Sequence, residues 1–279
     1  MAALTALLPV KDYHEGYLRE AVDSLHGQSN PDWELLVIGE RENLSELGAF
    51  LEADLADERV TLVASEGRRL AGALNTGMRS ARTEFVGILL GDDMWSPDAV
   101  AALAAAISAN PDADFFHSAR IVIDESGRPL SSVHPARETV SAADFEVESP
   151  VKHLLCWRRE LALSFGGMDE ALPPIGTDDF DFPWTMAEHG ARFHAVSECL
   201  YRYRDHRESY RLTTHLPLSV CVRGLRTIMR KHGQGRIRTE RRVLKARRTY
   251  LRQCLYRSDL HRRLGRGADP RRGWRDTYA

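Results

Sequence analysis

The first hundred residues switch repeatedly between a strand-like and a helix-like hydrophobic period, and this alternation restricts the fold more than any other property of the chain. Ala3–Pro9 is apolar and ends in proline, as a strand does. In Tyr17–Gln28, Leu18, Ala21, Val22 and Leu25 fall at i, i+3, i+4 and i+7, the spacing of an amphipathic helix. Glu34–Ile38 reads as a short buried strand, Leu44, Leu47, Leu51 and Leu55 as the next helix, and Val60–Val63 as a third strand. Leu70–Ala81 is a third helix and Phe85–Leu90 a fourth strand. Ser96-Pro97-Asp98 then opens an Ala-rich helix, with Ser96 as its cap and proline at its first position. Such alternation implies an α/β fold, a parallel sheet joined by right-handed crossovers. Ligands of these sheets sit at the carboxyl ends of the strands, which here are Pro9–Asp12, Gly39–Glu40 and Gly91–Asp93.

Beyond residue 112 the pattern changes. Phe115–Ile123 and the Asp124–Arg128 turn read as strands with a reversal, and 128–150 reads as loop. Thr177–His189 is helical and stops at Gly190, while Phe193–Val196 and Cys199–Arg204 are two short strands. From about Leu216 the chain is helical and basic, broken near Gly233–Gly235 and again near Gly265–Gly267. The net charge of −2 conceals an asymmetry: residues 1–222 carry 19 Lys and Arg against 36 Asp and Glu, and residues 223–279 carry 19 against 4. Such a split points either to docking of the tail on an acidic surface or to phosphates, anionic lipid or nucleic acid.

No apolar run approaches the roughly 18–20 residues that span a bilayer. The opening residues, which lack a basic segment before the first strand, do not read as a signal peptide. Cys156, Cys199, Cys221 and Cys254 are scattered and read as reduced thiols, so a cytoplasmic location is expected, with peripheral contact at the inner face of the membrane as a variant of it.

Three segments bear chemistry. Asp92 and Asp93 follow an apolar strand; adjacent carboxylates repel unless a cation or several donors neutralise them, and Mg²⁺ or Mn²⁺ completed by phosphate oxygens suits that position. An acidic turn leading into the next helix is the equal alternative. Asp178 and Asp179 open a helix, where one carboxylate can accept a proton from a hydroxyl. A helix cap explains the same pair without chemistry. In Tyr203–Ser209, neutral His206 can ligate a metal and the arginines can contact phosphate, or all can simply be solvated.

The order of these segments carries more than any one alone. LLPVKDYHEGYLREAVDSLHGQS with ELLVIGE, then RRLAGALNTGMRSARTEFVGILLGDDMWSPDAV, then FGGMDEALPPIGTDDFDF with AEHG, and finally YRYRDHRES run in sequence over roughly residues 3–210. Together they resemble the family 2 glycosyltransferases of the GT-A fold. The resemblance implies a Rossmann-like, mixed but mainly parallel sheet flanked by helices over 1–215, with a donor-binding half to about 112 and an acceptor half from about 113. A basic helical extension follows over 216–279.

The resemblance also implies roles. Asp179 matches the family's catalytic base, with Asp178 beside it on the acceptor side together with Gly167 and Met168. Asp92, Asp93 and His206 match metal-side positions, and Asp92 also faces the donor. Pro9, Val10, Lys11, Asp12, Glu40, Arg69, Asn75 and Gly91 match donor-binding positions. The implied reaction is inverting transfer from a nucleotide diphosphate sugar, a UDP-sugar, to a hydroxyl, assisted by Mn²⁺ or Mg²⁺.

Three departures from the family pattern stand out: Leu90 replaces the first acid of its D-x-D motif, Gly39-Glu40 replaces two acids, and Pro183-Trp184 is expected to reshape the acceptor site. The rival classes are a sugar nucleotidyltransferase, disfavoured by the single glycine after the first strand, and a nucleotide-binding protein without activity. For the tail, oligomerisation or docking is favoured over membrane contact, with nucleic acid last, because Leu251 and Leu255 interleave with the basic residues.

Overall fold

A computed structural model of the chain describes residues 2–173, 176–205 and 217–263, with side chains to 252. Two compact units emerge, Met1–Glu170 with Thr177–Asp205, and Ala171–Gly176 with His206–Ala279.

The first unit is built on one sheet. Its opening half alternates as the hydrophobic periods require: β1 (Leu4–Val10), α1 (Glu15–His26), β2 (Trp33–Gly39), α2 (Leu44–Phe50), β3 (Val60–Ala64), α3 (Arg69–Ser80) and β4 (Phe85–Ile88). A two-residue strand β5 (Met94–Trp95) and α4 (Ala99–Ala109) follow. The later half contributes β6 (Phe115–Ile123), a one-turn α5 (Ala142–Phe145), β7 (Leu155–Arg158), α6 (Arg159–Ser164), a wide turn at Thr177–Asp181, α7 (Phe182–Glu188) and β8 (Phe193–Arg204). Among the described residues the eight strands run in the order β3-β2-β1-β4-β7-β6-β8-β5. The first four are parallel, β7 is antiparallel to both β4 and β6, and β8 runs parallel to β6. The mixed, mainly parallel sheet with flanking helices is the architecture expected from the sequence.

Burial explains the helical faces. Leu18, Ala21, Val22 and Leu25, the i, i+3, i+4, i+7 set, are all inaccessible and join Leu4, Leu8, Leu35 and Val37 in the core. Several local readings need correction. The helix marked by Leu44 to Leu55 ends at Phe50, and a short 3-10 turn covers Asp54–Ala56. Ser96 does not cap α4: its hydroxyl donates to Cys199 O (2.8 Å), Trp95 having joined the sheet, and the helix begins only at Ala99. The two strands read over 193–204 are a single strand, β8, whose pairing with β6 slips on either side of Ala119. Trp184, expected to reshape the acceptor side, is 1% exposed and stacks on Phe145 at 6.1 Å, so it fills the core instead.

In the second unit α8 (Leu218–Lys231) and α9 (Arg236–Arg263) pack on each other and are joined through Gly233, whose φ is +66°. Arg226 reaches Glu240 through two bonds of 2.8 Å. Val222, Leu225, Ile228, Met229 and Val243 are buried, whereas Ile237, Leu244 and Leu251, spaced seven apart, are exposed. Among the described residues no helix is long and apolar enough to cross a membrane.

One close approach lies at the start of α3. A Cβ on Gly72 would fall 2.5 Å from Gly67 Cα, backbone against backbone, so neither side can give way. Alanine is favoured over glycine in a helix by about 1 kcal/mol. Gly72→Ala is nevertheless expected to lower stability by about 1–3 kcal/mol, as overpacking does. Urea unfolding measures it, and an unchanged or higher midpoint would overturn the packing account.

Candidate active site

The strand order places β1 between β2 and β4, so the segments leaving their carboxyl ends lie side by side. The chain turns outward from β1 toward β3 on one side and crosses to β4 on the other, and this switch point is where such sheets hold ligands. Pro9 and Val10 end β1 with their backbone in the ladder, Val10 opposite Gly39. Lys11 and Asp12 project exposed from it, Glu40 leaves β2, and Gly91 and Asp92 lie beyond β4, partly exposed. Asn43, which sequence reasoning did not select, donates to Lys11 O (2.7 Å) and ties two of these loops together.

Arg69 is the first residue of α3, and its φ of +60° puts a non-glycine residue in the left-handed region. Such conformations cost on the order of 1–3 kcal/mol and concentrate at functional sites. Asn75 does not face the donor. It is 4% exposed; its Nδ2 donates to Met168 O (2.9 Å) and Glu170 Oε1 (3.0 Å), and its Oδ1 accepts Met168 N (2.8 Å). A buried amide with donors and acceptor all engaged positions the 166–170 loop and leaves nothing for a ligand. Glu170 completes the clamp by accepting Arg68 N (2.8 Å), and these donors hold its carboxyl below the ordinary range despite burial. Gly167 sits at φ +77°, where a side chain would also strike Asn75 Oδ1. Met168, 2% exposed, presents no side chain to an acceptor.

The acidic pair after β4 divides its labour. Asp93 is 1% exposed; Oδ2 accepts Tyr201 Oη (2.7 Å) and Oδ1 accepts Arg204 N (2.7 Å). Burial, then the Asp92 charge, push its carboxyl well above the usual range. The expectation of Asp93 as a metal ligand is corrected on this ground, since both oxygens are committed inside the fold. Arg204, a phosphate candidate by sequence, is also withdrawn from ligands. Its guanidinium is buried, donates to Asp92 O (2.8 Å) and Glu125 O (3.1 Å), pairs with Glu20 and lies over Tyr17.

The second pair lies in the wide turn before α7. Asp178 is buried with its Oδ2 3.4 Å from His153 Nε2. Asp179 is partly exposed, and Ser149 Oγ fixes its backbone by donating to its carbonyl (2.5 Å). Burial, reinforced by the charge of Asp178, pushes the Asp179 carboxyl up to about 6. The two pairs are linked: Tyr201, which holds Asp93, stacks its ring on His153 at 5.3 Å, and His153 reaches Asp178. Tyr201 and His153 escaped sequence reasoning, because an aromatic within a strand and a lone histidine read as core.

Among the described residues no three His, Cys, Asp or Glu side chains converge as a metal cage. Mg²⁺ and Mn²⁺ held by one or two carboxylates and completed by substrate phosphates need none, and Asp92, partly exposed at the strand end, fits such a site. His206, the other expected ligand, lies outside the described residues.

A sequence model of glycosyl transferase family 2 matches residues 5–157, more than half of the chain. The O-antigen biosynthesis protein RfbC of Myxococcus xanthus is 28% identical over 207 residues, 72% of this chain, although the chain spans only 16% of that relative's length. The succinoglycan biosynthesis protein ExoW of Rhizobium meliloti is 33% identical over 103 residues, 35% of this chain and 32% of its own. Among solved structures, S. aureus TarS 1-349 in complex with UDP-GlcNAc superposes with a TM-score of 0.63 at 18% identity, covering 82% of this chain and 65% of its own. The mannosyltransferase PcManGT of Pyrobaculum calidifontis, in complex with GDP-Man and Mn²⁺, does so at 0.56 and 19%, covering 88% and 68%. With the sheet order and the strand-end acids, the match over 5–157 establishes that this chain belongs to glycosyl transferase family 2.

Proposed function

We propose that the chain is an inverting glycosyltransferase that moves a sugar from a nucleotide diphosphate, a UDP-sugar, to an acceptor hydroxyl. The observation that carries this reading is the link from Asp92-Asp93 through Tyr201 and His153 to Asp178-Asp179, which joins a phosphate-side acid to a carboxyl with a raised proton affinity. The UDP-GlcNAc and GDP-Man complexes of TarS and PcManGT support a nucleotide-sugar donor. In this reading Lys11, Asp12, Glu40 and Arg69 line the nucleotide side, and Asp92 holds a divalent cation together with the donor's phosphates. That cation, when bound, neutralises charge on the diphosphate.

The chain's own residues supply the rest. The acceptor oxygen attacks the anomeric carbon, the bond from that carbon to the phosphate oxygen breaks, and the acceptor's proton passes to Asp179. A single displacement inverts the anomeric configuration. His153 orients Asp178, whose negative charge adds to burial in raising the proton affinity of the neighbouring base.

Asp179→Asn is expected to reduce turnover by about 10²-fold or more, with UDP affinity within a few-fold, as read from released nucleoside diphosphate and calorimetry. Near wild-type turnover would sink the assignment. In the unsubstituted protein kcat/KM should climb with pH through about 6, where Asp179 ionises. The same shift has a cost: its folded value lies above that of an unfolded Asp, about 4, so ionisation weakens the fold as pH rises from there to about 6 and not below. Asp179→Asn should therefore raise the thermal midpoint at pH 7.5 and leave it unchanged at pH 4. For Asp92→Ala we expect UDP binding to lose its dependence on Mn²⁺; retained dependence would move the cation elsewhere.

The exposed series Ile237, Leu244 and Leu251 on the basic α9 supports association between copies of the chain. Leu244→Glu with Leu251→Glu should lower the mass in solution, measured by light scattering. An unchanged mass with lost binding to anionic vesicles would instead assign the helix to a membrane surface.

A further inference from the structure

On the acceptor side, β6 and the segments that follow it toward β7 gather basic side chains that the reaction described above does not use. Arg120 and His134 are directly opposed on neighbouring antiparallel segments, exchanging two backbone hydrogen bonds (3.0 and 2.8 Å), an arrangement that puts both side chains on one face. Arg120 lies over the Tyr203 ring at 5.0 Å, and its Nε is buried with no hydrogen-bond partner. Burial, and after it the nearby Arg120 charge, push the half-buried Lys152 ammonium down, against a weaker upward pull from Glu148. The same two cations, after burial, lower His134, and burial followed by Lys152 brings His117 down to about 4. Among the described residues no carboxylate comes within ion-pair distance of Arg120 or Lys152, although Arg120 acts from further off on Asp93 and Asp179, and Glu148 acts on Lys152. The Arg120 and Lys152 charges, gathered in a half-buried place with a buried donor left over, raise the energy of the empty protein and are relieved by an anion, to which neutral His134 can add an N–H.

We infer that Arg120, Lys152 and His134 form an oxyanion subsite for a phosphate or carboxylate carried by the acceptor, beside the base Asp179. The inference rests on the transferase reading for the word acceptor, but the anion site stands on the cluster itself. A phosphate could come from the acceptor or from the donor's diphosphate. The position of Lys152, next to the His153 that reaches Asp178, favours the acceptor. Guanidinium and ammonium donors make charge-assisted bonds to such oxygens, and the fork of Arg120 suits two at once.

Calorimetry on the full chain with inorganic phosphate at low ionic strength tests this. Phosphate should bind, and Lys152→Gln and Arg120→Gln should each weaken it at least tenfold, while UDP affinity changes less than twofold. Arg120→Lys, which keeps the charge and the packing on Tyr203, should recover part of the loss and guards against a folding defect. With UDP and Mn²⁺ saturating, phosphate should still bind within twofold of its original affinity. Failure of the unsubstituted protein to bind phosphate, or equal affinity in all variants, would overturn the subsite. Displacement of phosphate by UDP would overturn its assignment to the acceptor. Phosphate binding through these residues in a protein that never binds UDP would defeat the transferase reading and leave the subsite intact.

Discussion

The carboxylate of Asp93 is the point on which the centre of the molecule turns. Burying it is costly, and the amide of Arg204, the hydroxyl of Tyr201 and, from further off, the Arg120 charge offset part of that cost. Both donors belong to the last residues of β8, so the bond pins the end of that strand to the turn after β4, across more than a hundred residues of chain. With β8 fixed, the Arg204 guanidinium can reach the carbonyls of Asp92, Asp124 and Glu125 and so brace the turn that presents Asp92. Two neighbouring aspartates thereby hold different posts: one is spent on architecture so that the other can face outward.

A parallel division occurs around the second acidic pair. Asp178 is drawn inward to His153, and Asp179 stays partly exposed, with its proton affinity raised by burial and then by its neighbour. The Asn75 clamp supports this from the opposite direction. By taking both backbone groups of Met168 it fixes the 166–170 loop to α3, the helix that begins with Arg69. Rigid elements thus reach the site from β8 and α3, while its reactive groups ride on turns.

Much of this was legible in the chain. The bounds of β6 could be read directly, because Phe115–Ile123 has apolar residues at both ends and runs into the Asp124–Arg128 turn, and the strand-end acids announced themselves by following apolar runs. β8 looked like two strands because the polar pair Ser197-Glu198 interrupts its apolar run where the pairing slips. β7 escaped notice since its four residues are too few to show a period. The parts of the site that went unseen share one property: their meaning depends on register. Tyr201 is an ordinary strand tyrosine until the sheet order sets it opposite Arg120 and within reach of Asp93. Asn75 looked like a ligand-facing residue because its motif is familiar, and only the path of the 166–170 loop reveals that its amide is already occupied.

Arg69 carries one further implication. At nearly every position in a folded chain, what the backbone wants and what the side chain offers agree, yet a left-handed φ of +60° there suits glycine, and glycine would also release the strain. A side chain that persists in such a conformation must be held there by the packing around it, at an expense of about 1–3 kcal/mol to the fold. Arg69 thus marks the start of α3 as a place where the surrounding structure dictates to the backbone, and not the reverse.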